Sequence, residues 1–186
     1  MPESDIIITI DKWNRETEGK VRKKRRSIKK EGMNMLPIRK ILCPTDFSEP
    51  SFVGLKDANE LADHFSAELI LVHVVSPVHI YPSVQPGAGF NLARYLKEMV
   101  DASRRSLEKV VKDRTLPDLQ VRIFVLQGSP ADQIIGLAKS EEVDVIVTAT
   151  HGWTGWRRFI FGSVAEKVVR FATCPVVTVP VPQEDE

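Results

Sequence analysis

What most limits the folds open to this chain is an alternation that starts near residue 38 and continues almost to its end. Five short apolar runs, at 38–43, 68–75, 121–126, 143–148 and 176–179, are rich in Val, Ile and Leu and show little in–out alternation. Runs of that length and continuity suit strands covered on both faces, as in a parallel sheet. Between them the period changes. Phe52, Leu55, Ala58, Ala62 and Phe65 recur at three- and four-residue steps, as do Leu92, Leu96, Met99, Ser103, Leu107 and Val110. Ser129-Pro130 reads as a capping residue followed by proline at the first helical position, and Ile134, Leu137 and Ala138 as the inner face of a third helix. A fourth helix follows Gly162-Ser163 with Val164, Val168 and Phe171 on one side, and ends near Cys174-Pro175, because proline disfavours helix in the residue before it.

Strand–helix alternation predicts an open, doubly wound, five-stranded parallel sheet with helices on both faces, an α/β domain. Sheets of this kind take their ligands outside the carboxyl ends of the strands, at the point where the strand order reverses. The segments to inspect are therefore 44–48, after the first strand, and 149–163, after the fourth. Residues 78–91, with Pro82, Pro86, Gly87 and Gly89, read as a loop: either a flap beside the site or a spacer into the second helix.

The most informative stretch is 149–163, which leaves a buried strand and enters a helix. Gly152, Gly155 and Gly162 allow sharp turns and close approach of backbone to a ligand. Gly162-Ser163 opens the fourth helix, where free amides and the positive end of the dipole favour an anion. The Ser163 hydroxyl can join the same phosphate, and Arg157 and Arg158 lie within the loop. The alternative is a plain connection in which Ser163 only caps its helix. Trp153, Trp156, Phe159, Ile160 and Phe161 read as packing residues. Asp46, at the end of the first strand, would repel a triphosphate and so should face ribose, base or a metal; its alternative is a turn or cap residue beside Ser48 and Ser51.

Composition serves mainly to exclude. With 26 Lys/Arg against 25 Asp/Glu the formal charge is +1, so no global field marks a nucleic-acid binder. The first 36 residues hold ten of the basic and six of the acidic side chains, and the remainder carries a net −3. Residues 21–30 form a basic run that reads as a nucleic-acid or anionic-membrane contact, as a solvated tail, or as sequence ahead of a start at Met33 or Met35. Cys43 and Cys174 stand far apart and outside any C-x-x-C, which argues against zinc and a disulfide framework. No apolar stretch reaches the length of a membrane span, and no signal peptide is evident, so a cytoplasmic location is the expectation. His64, His73, His79 and His151 lack metal-ligand spacing. No G-x-x-x-x-G-K-[ST] loop and no nucleophile with a paired base stands out, so an enzyme is not expected.

Three separated segments resemble the universal stress protein family, in the family's order. They are the opening Ile38-Arg-Lys-Ile-Leu-Cys-Pro-Thr-Asp-Phe-Ser-Glu-Pro-Ser51, then Leu69-Ile-Leu-Val-His-Val-Val75, and finally His151-Gly-Trp-Thr-Gly…Gly162-Ser-Val-Ala-Glu-Lys-Val-Val169 followed by Cys174-Pro-Val-Val-Thr-Val179. The resemblance implies a Rossmann-like, adenine-nucleotide-hydrolase-like domain over 37–181, with a basic extension at 1–36 and an acidic tail at 182–186. It implies an adenine-nucleotide site holding ATP at Pro44, Thr45, Asp46, Val74, Thr148, Ala149, Gly152, Gly162, Ser163 and Val164; on general chemistry a bound triphosphate would normally bring Mg2+. The family's ATP-binding members share a glycine, two residues, a glycine, nine residues, then glycine and Ser or Thr. Gly152 and Gly162-Ser163 match the later parts, whereas Ala149 replaces the first glycine. If that position needs positive φ, alanine costs energy there, and binding is expected to be weaker than in members with all three glycines. The resemblance also implies a homodimer paired through Val176, Val177 and Val179 of the last strand, acting as a nucleotide-dependent switch or adaptor in a stress response. A nucleotide-free dimeric adaptor and a slow ATPase remain as alternatives.

Overall fold

The computed structural model describes residues 37–76, 91–150 and 162–181. Among them are five strands and four helices: β1 (Lys40–Pro44), α1 (Glu49–Phe65), β2 (Glu68–Val75), α2 (Leu92–Arg114), β3 (Val121–Gln127), α3 (Pro130–Ser140), β4 (Val145–Ala149), α4 (Ser163–Phe171) and β5 (Val176–Val179). The strands form one parallel sheet in the order β3-β2-β1-β4-β5. Sequence order runs outward in one direction from β1 to β3, then returns to the other side of β1 for β4 and β5. The reversal lies between β1 and β4, joined in register by Ile41↔Val145 and Leu42↔Ile146.

The lack of in–out alternation in the strands follows from two cores. Ile41, Cys43, Leu69, Leu71, Ile123, Val145 and Val147 face α1 and α2, packing on Leu55, Ala58, Ala62, Leu107 and Val110. Leu42, Ile70, Val72, Phe124 and Ile146 face α3 and α4, packing on Ile134, Leu137, Ala138 and Val168. The helix following β1 lies on one face and the helix following β4 on the other. Their chains diverge at the carboxyl ends of two neighbouring strands, and a crevice opens there.

Local signals account for most helix ends. The Ser48 hydroxyl caps α1, accepting from the Ser51 amide at 3.3 Å, and Ser66 closes that helix with left-handed φ 52. Asn91 caps α2 through the Arg94 amide at 3.0 Å. Ser129 does stand at the N-cap of α3, but its hydroxyl makes no capping bond. Strand bounds shift by one or two residues from the apolar runs: β1 starts at Lys40 and β4 at Val145. The expected helix faces are corrected at their ends. Phe65, Leu92 and Met99 are exposed, as are Val164 and Phe171 on α4, where Val168 turns inward as expected and Ala165 joins it. Phe65, Leu92, Val164 and Phe171 sit in terminal turns, where the helix no longer lies over the sheet, whereas Met99 lies two turns into α2 and lines the cavity described below.

At the amino ends of the strands, polar groups tie the elements together. Arg122 bridges Glu68 and Glu141 at 2.6 Å each. Asp144 accepts from the Arg39 and Lys40 amides at 2.7 and 2.9 Å. Among the described residues no helix is long and apolar enough to cross a membrane.

Candidate functional site

A cavity of about 570 Å³ opens at the carboxyl ends of the strands, within the size range of small-molecule sites. Its floor is the strand ends and the residues that follow them: Pro44 to Asp46 at the end of β1, Val72 to Ser76 at the end of β2, and Thr148 to Thr150 at the end of β4. One wall is the start of α4, residues 162–165; the others are Tyr95 and Met99 of α2 and Pro130 and Ile134 of α3.

The α4 wall suits an anion. Gly162 is the N-cap, in extended backbone (φ −69, ψ 153), and has no side chain to place over the helix end. The first intrahelical bond runs from the Glu166 amide to the Gly162 carbonyl at 2.9 Å. The amides of Ser163, Val164 and Ala165 precede that ladder and point out of the helix end. Ser163 is the first helical residue and is exposed, so the alternative in which its hydroxyl caps the helix is not what the structure adopts. The Gly162 amide donates to the Thr150 carbonyl at 2.7 Å, which brings the end of β4 and the start of α4 together.

Facing it, the β1–α1 turn is tightly determined. Thr45 is buried; its amide donates to the Val72 carbonyl at 2.9 Å and its hydroxyl meets that of Ser51 at 2.8 Å. The Phe47 amide donates to the Thr45 hydroxyl at 3.0 Å while Phe47 holds φ 66, a costly conformation for a bulky residue. Asp46 accepts from the Ser48 amide at 3.1 Å and from the Ser48 hydroxyl through the same carboxylate oxygen. Asp46 is thus a turn-building residue as well as an exposed carboxylate on the cavity wall. His73 stacks on the Phe47 ring, centroids 4.4 Å apart, with Nδ1 2.9 Å from the Thr45 carbonyl. Burial pushes this imidazole below the ordinary histidine range, against the Thr45 bond and the Asp46 charge, which both raise it.

A family model described as the universal stress protein family matches residues 37–180. The chain belongs to the universal stress protein family. It is 33% identical over 159 residues to universal stress protein MJ0531 of Methanocaldococcus jannaschii, covering 86% of this chain and 91% of that one. The solved structure of MJ0577, from the same organism, aligns with TM-score 0.61 and 29% identity over 80% of this chain and all of that chain. The crystal structure of a universal stress protein in complex with cAMP aligns with TM-score 0.52 and 18% identity, over 77% of this chain and 98% of that one, a likeness of fold.

Of the residues the universal stress protein resemblance singles out, the structure brings Pro44, Thr45, Asp46, Val74, Thr148, Ala149, Gly162, Ser163 and Val164 around the one cavity. Gly152 lies outside the described residues, as do Gly155, Arg157, Arg158 and the aromatic residues between them, the loop at 78–90, the basic run at 21–30 and the tail at 182–186. Ala149 requires a correction. It is a strand residue without positive φ, so alanine carries no backbone strain there. By alternation with Val145 and Val147 its methyl group lies on the α1 side of the sheet, where Gly54 packs against its backbone.

Sequence reading missed Tyr95, Met99, Pro130 and Ile134. Met99 belongs to an apolar helical period and was indistinguishable from core, and Tyr95, one turn before it, was not singled out; their exposure, 39% and 38%, marks them as a wall. Asp46 is the one charged side chain on the cavity wall among the described residues. A bound anion would therefore meet amides and hydroxyls rather than Lys or Arg from this part of the chain. No cluster of metal-ligating side chains occurs among the described residues.

Proposed function

We propose that the cavity binds an adenine nucleotide, ATP in particular, and that the chain works as a homodimeric nucleotide-dependent switch or adaptor rather than as a catalyst. The observation that carries this reading is the pairing, across one cavity, of the open α4 amino end with the Thr45–Asp46 turn. One end is built from amides and hydroxyls suited to phosphate. The other offers a carboxylate for ribose hydroxyls and apolar surface from Val74, Met99 and Ile134 for a flat base. A protein of the same fold crystallised with cAMP supports the ligand class. With Asp46 turned to ribose, the described lining offers no carboxylate to a magnesium ion, and one accompanying a triphosphate would be held by phosphate and water oxygens. The nucleotide domain would span 37–181, with 1–36 and 182–186 as appendages.

The dimer reading rests on β5. It is the last strand of the sheet, and Val177 leaves 41% of its surface exposed, whereas Val179 is buried in its own core and Val176 is half-buried. The Pro175 carbonyl accepts from the Ile146 amide of β4 and the Val179 carbonyl from the Thr150 amide just after it, at 3.0 Å each. Alternation turns the backbone groups of Val176 and Thr178 to the open edge, where a second copy can pair.

The test is calorimetry with ATP on the wild-type chain and on Gly162→Asp. Gly162 already has the extended backbone of an N-cap, so aspartate there caps α4 and holds or raises stability by a few tenths of a kcal/mol. The same carboxylate occupies the amides and repels phosphate. The expected result is measurable ATP affinity that the variant lacks, at unchanged or higher Tm, with turnover negligible in both. Equal affinity in the two proteins would place the phosphates elsewhere.

A further inference from the structure

We propose that His73 is a positioning residue that ends the β1–β2 ladder and keeps the peptide edge of Val74 open to the cavity. On β2 the residues sharing the His73 face are Leu69, Leu71 and Val75, all buried and apolar. An imidazole in that row breaks the pattern, and such local exceptions tend to mark function.

The hydrogen bonds say what it does. In a parallel ladder a residue that donates to position i of its neighbour normally accepts from position i+2. Thr45 donates to the Val72 carbonyl at 2.9 Å, so its own carbonyl should accept from the Val74 amide. It accepts instead from His73 Nδ1, at 2.9 Å. A carbonyl can only accept, so Nδ1 carries the proton. The paired register of β1 with β2 ends at Pro44↔Val72. Val75 accepts from the Gly128 amide on the β3 side at 3.0 Å. Alternation therefore aims the backbone of Val74 the other way, toward the place β1 has left, and Val74 lines the cavity. The ring is held in this pose by its stack on Phe47, 4.4 Å away and inclined by 30°.

An amide and a carbonyl of one residue, side by side at a cavity wall, match the donor–acceptor edge of a purine base. His73 touches no ligand in this scheme; it acts by occupying the acceptor that would otherwise close the ladder. The ligand half of the inference rests on the adenine-nucleotide reading above, whereas the ladder half does not.

Two variants and two readouts test it. His73→Leu removes the donor and suits the apolar face. His73→Asn places an amide nitrogen where Nδ1 stands. Without nucleotide, the Val74 amide should exchange its hydrogen quickly in the wild type and in His73→Asn, and be slowed at least tenfold in His73→Leu as the ladder closes. ATP affinity should fall about tenfold in His73→Leu at undiminished Tm and be restored to within about threefold in His73→Asn, while inorganic tripolyphosphate binds all three alike. A Val74 amide as protected in the wild type as its strand neighbours would overturn the proposal, as would ATP affinity in His73→Leu equal to that of the wild type. If the wild type binds no ATP at all, the nucleotide reading fails and the exchange rates still decide the ladder.

Discussion

Gly54 offers a quantitative check on how the site is framed. It lies in the middle of α1 and is buried, directly beneath the end of β4. A methyl group built there would stand 2.9 Å from the Ala149 nitrogen, 3.3 Å from the Thr148 carbonyl carbon and 3.6 Å from the Ala149 Cα. All three are backbone atoms that cannot rotate aside, so α1 or the β4 end must move by about half an ångström in a close-packed interior. Two terms oppose each other in Gly54→Ala. Helix propensity favours alanine by about 1 kcal/mol, and overpacking costs about 1–3 kcal/mol. The net expectation is a loss of up to about 2 kcal/mol. Gly136 supplies the control: it is also helical, on α3, with nothing within 4 Å of the built methyl group. Gly136→Ala should keep the whole propensity gain, about 0.5–1 kcal/mol. Parallel urea unfolding curves measure both, and Tm should separate by several degrees at about 2–4 °C per kcal/mol. Because the displacement falls on Thr148 and Ala149, both on the cavity wall, Gly54→Ala should also weaken ATP binding while Gly136→Ala should not. Gly54→Ala matching Gly136→Ala in stability and in affinity would show that the close α1–β4 contact does not set the shape of the site.

Three further outcomes are expected. Because the folded protein holds His73 below its ordinary value of 6.5, the unfolded chain binds the extra proton first on acidification. The contribution of His73 is fully present above pH 6.5 and is lost as pH falls below it toward the depressed folded value; urea titrations at stepped pH should show a steeper decline below pH 6.5 in the wild type than in His73→Asn. Cys43 is buried with its thiol pushed up to about 12, while Cys174 is half-buried and raised less; iodoacetamide at pH 8 should label Cys174 first, and labelling of Cys43 should follow global unfolding. Thr178→Pro deletes an outward amide of β5 without touching its bonds to β4, so sedimentation should report a folded monomer; a persistent dimer would locate the interface elsewhere.

The architecture was legible because it is written in local chemistry. A run such as 68–75, apolar on both faces, has no stable place except a covered strand, and it became β2 with the same bounds. The crevice followed from topology: the reversal between β1 and β4 is where the chain brought Thr45, Asp46, Ala149 and Gly162 together. Helix faces were legible in their middles and not at their ends. Val164 and Phe171 fit the period as well as Ala165 and Val168 do, yet only the latter lie over the sheet. Periodicity records which residues share a stripe, not where the neighbouring element stops.

The remaining features depend on groups distant in sequence. That alanine at 149 is free of strain depends on its being the last residue of a strand rather than the first of a turn. That Tyr95 and Met99 form a wall depends on α2 reaching beyond the carboxyl ends of the strands. That His73 meets Thr45 depends on two strands lying side by side, 28 residues apart along the chain. By itself the sequence determined the kind, order and approximate extent of the elements, the family, and the pole of the sheet at which to look, since each follows from local periodicity, turn chemistry or topology. Only the tertiary structure decided which backbone groups are left open at that pole, because an unpaired amide results from where neighbouring strands part, and no local pattern encodes that.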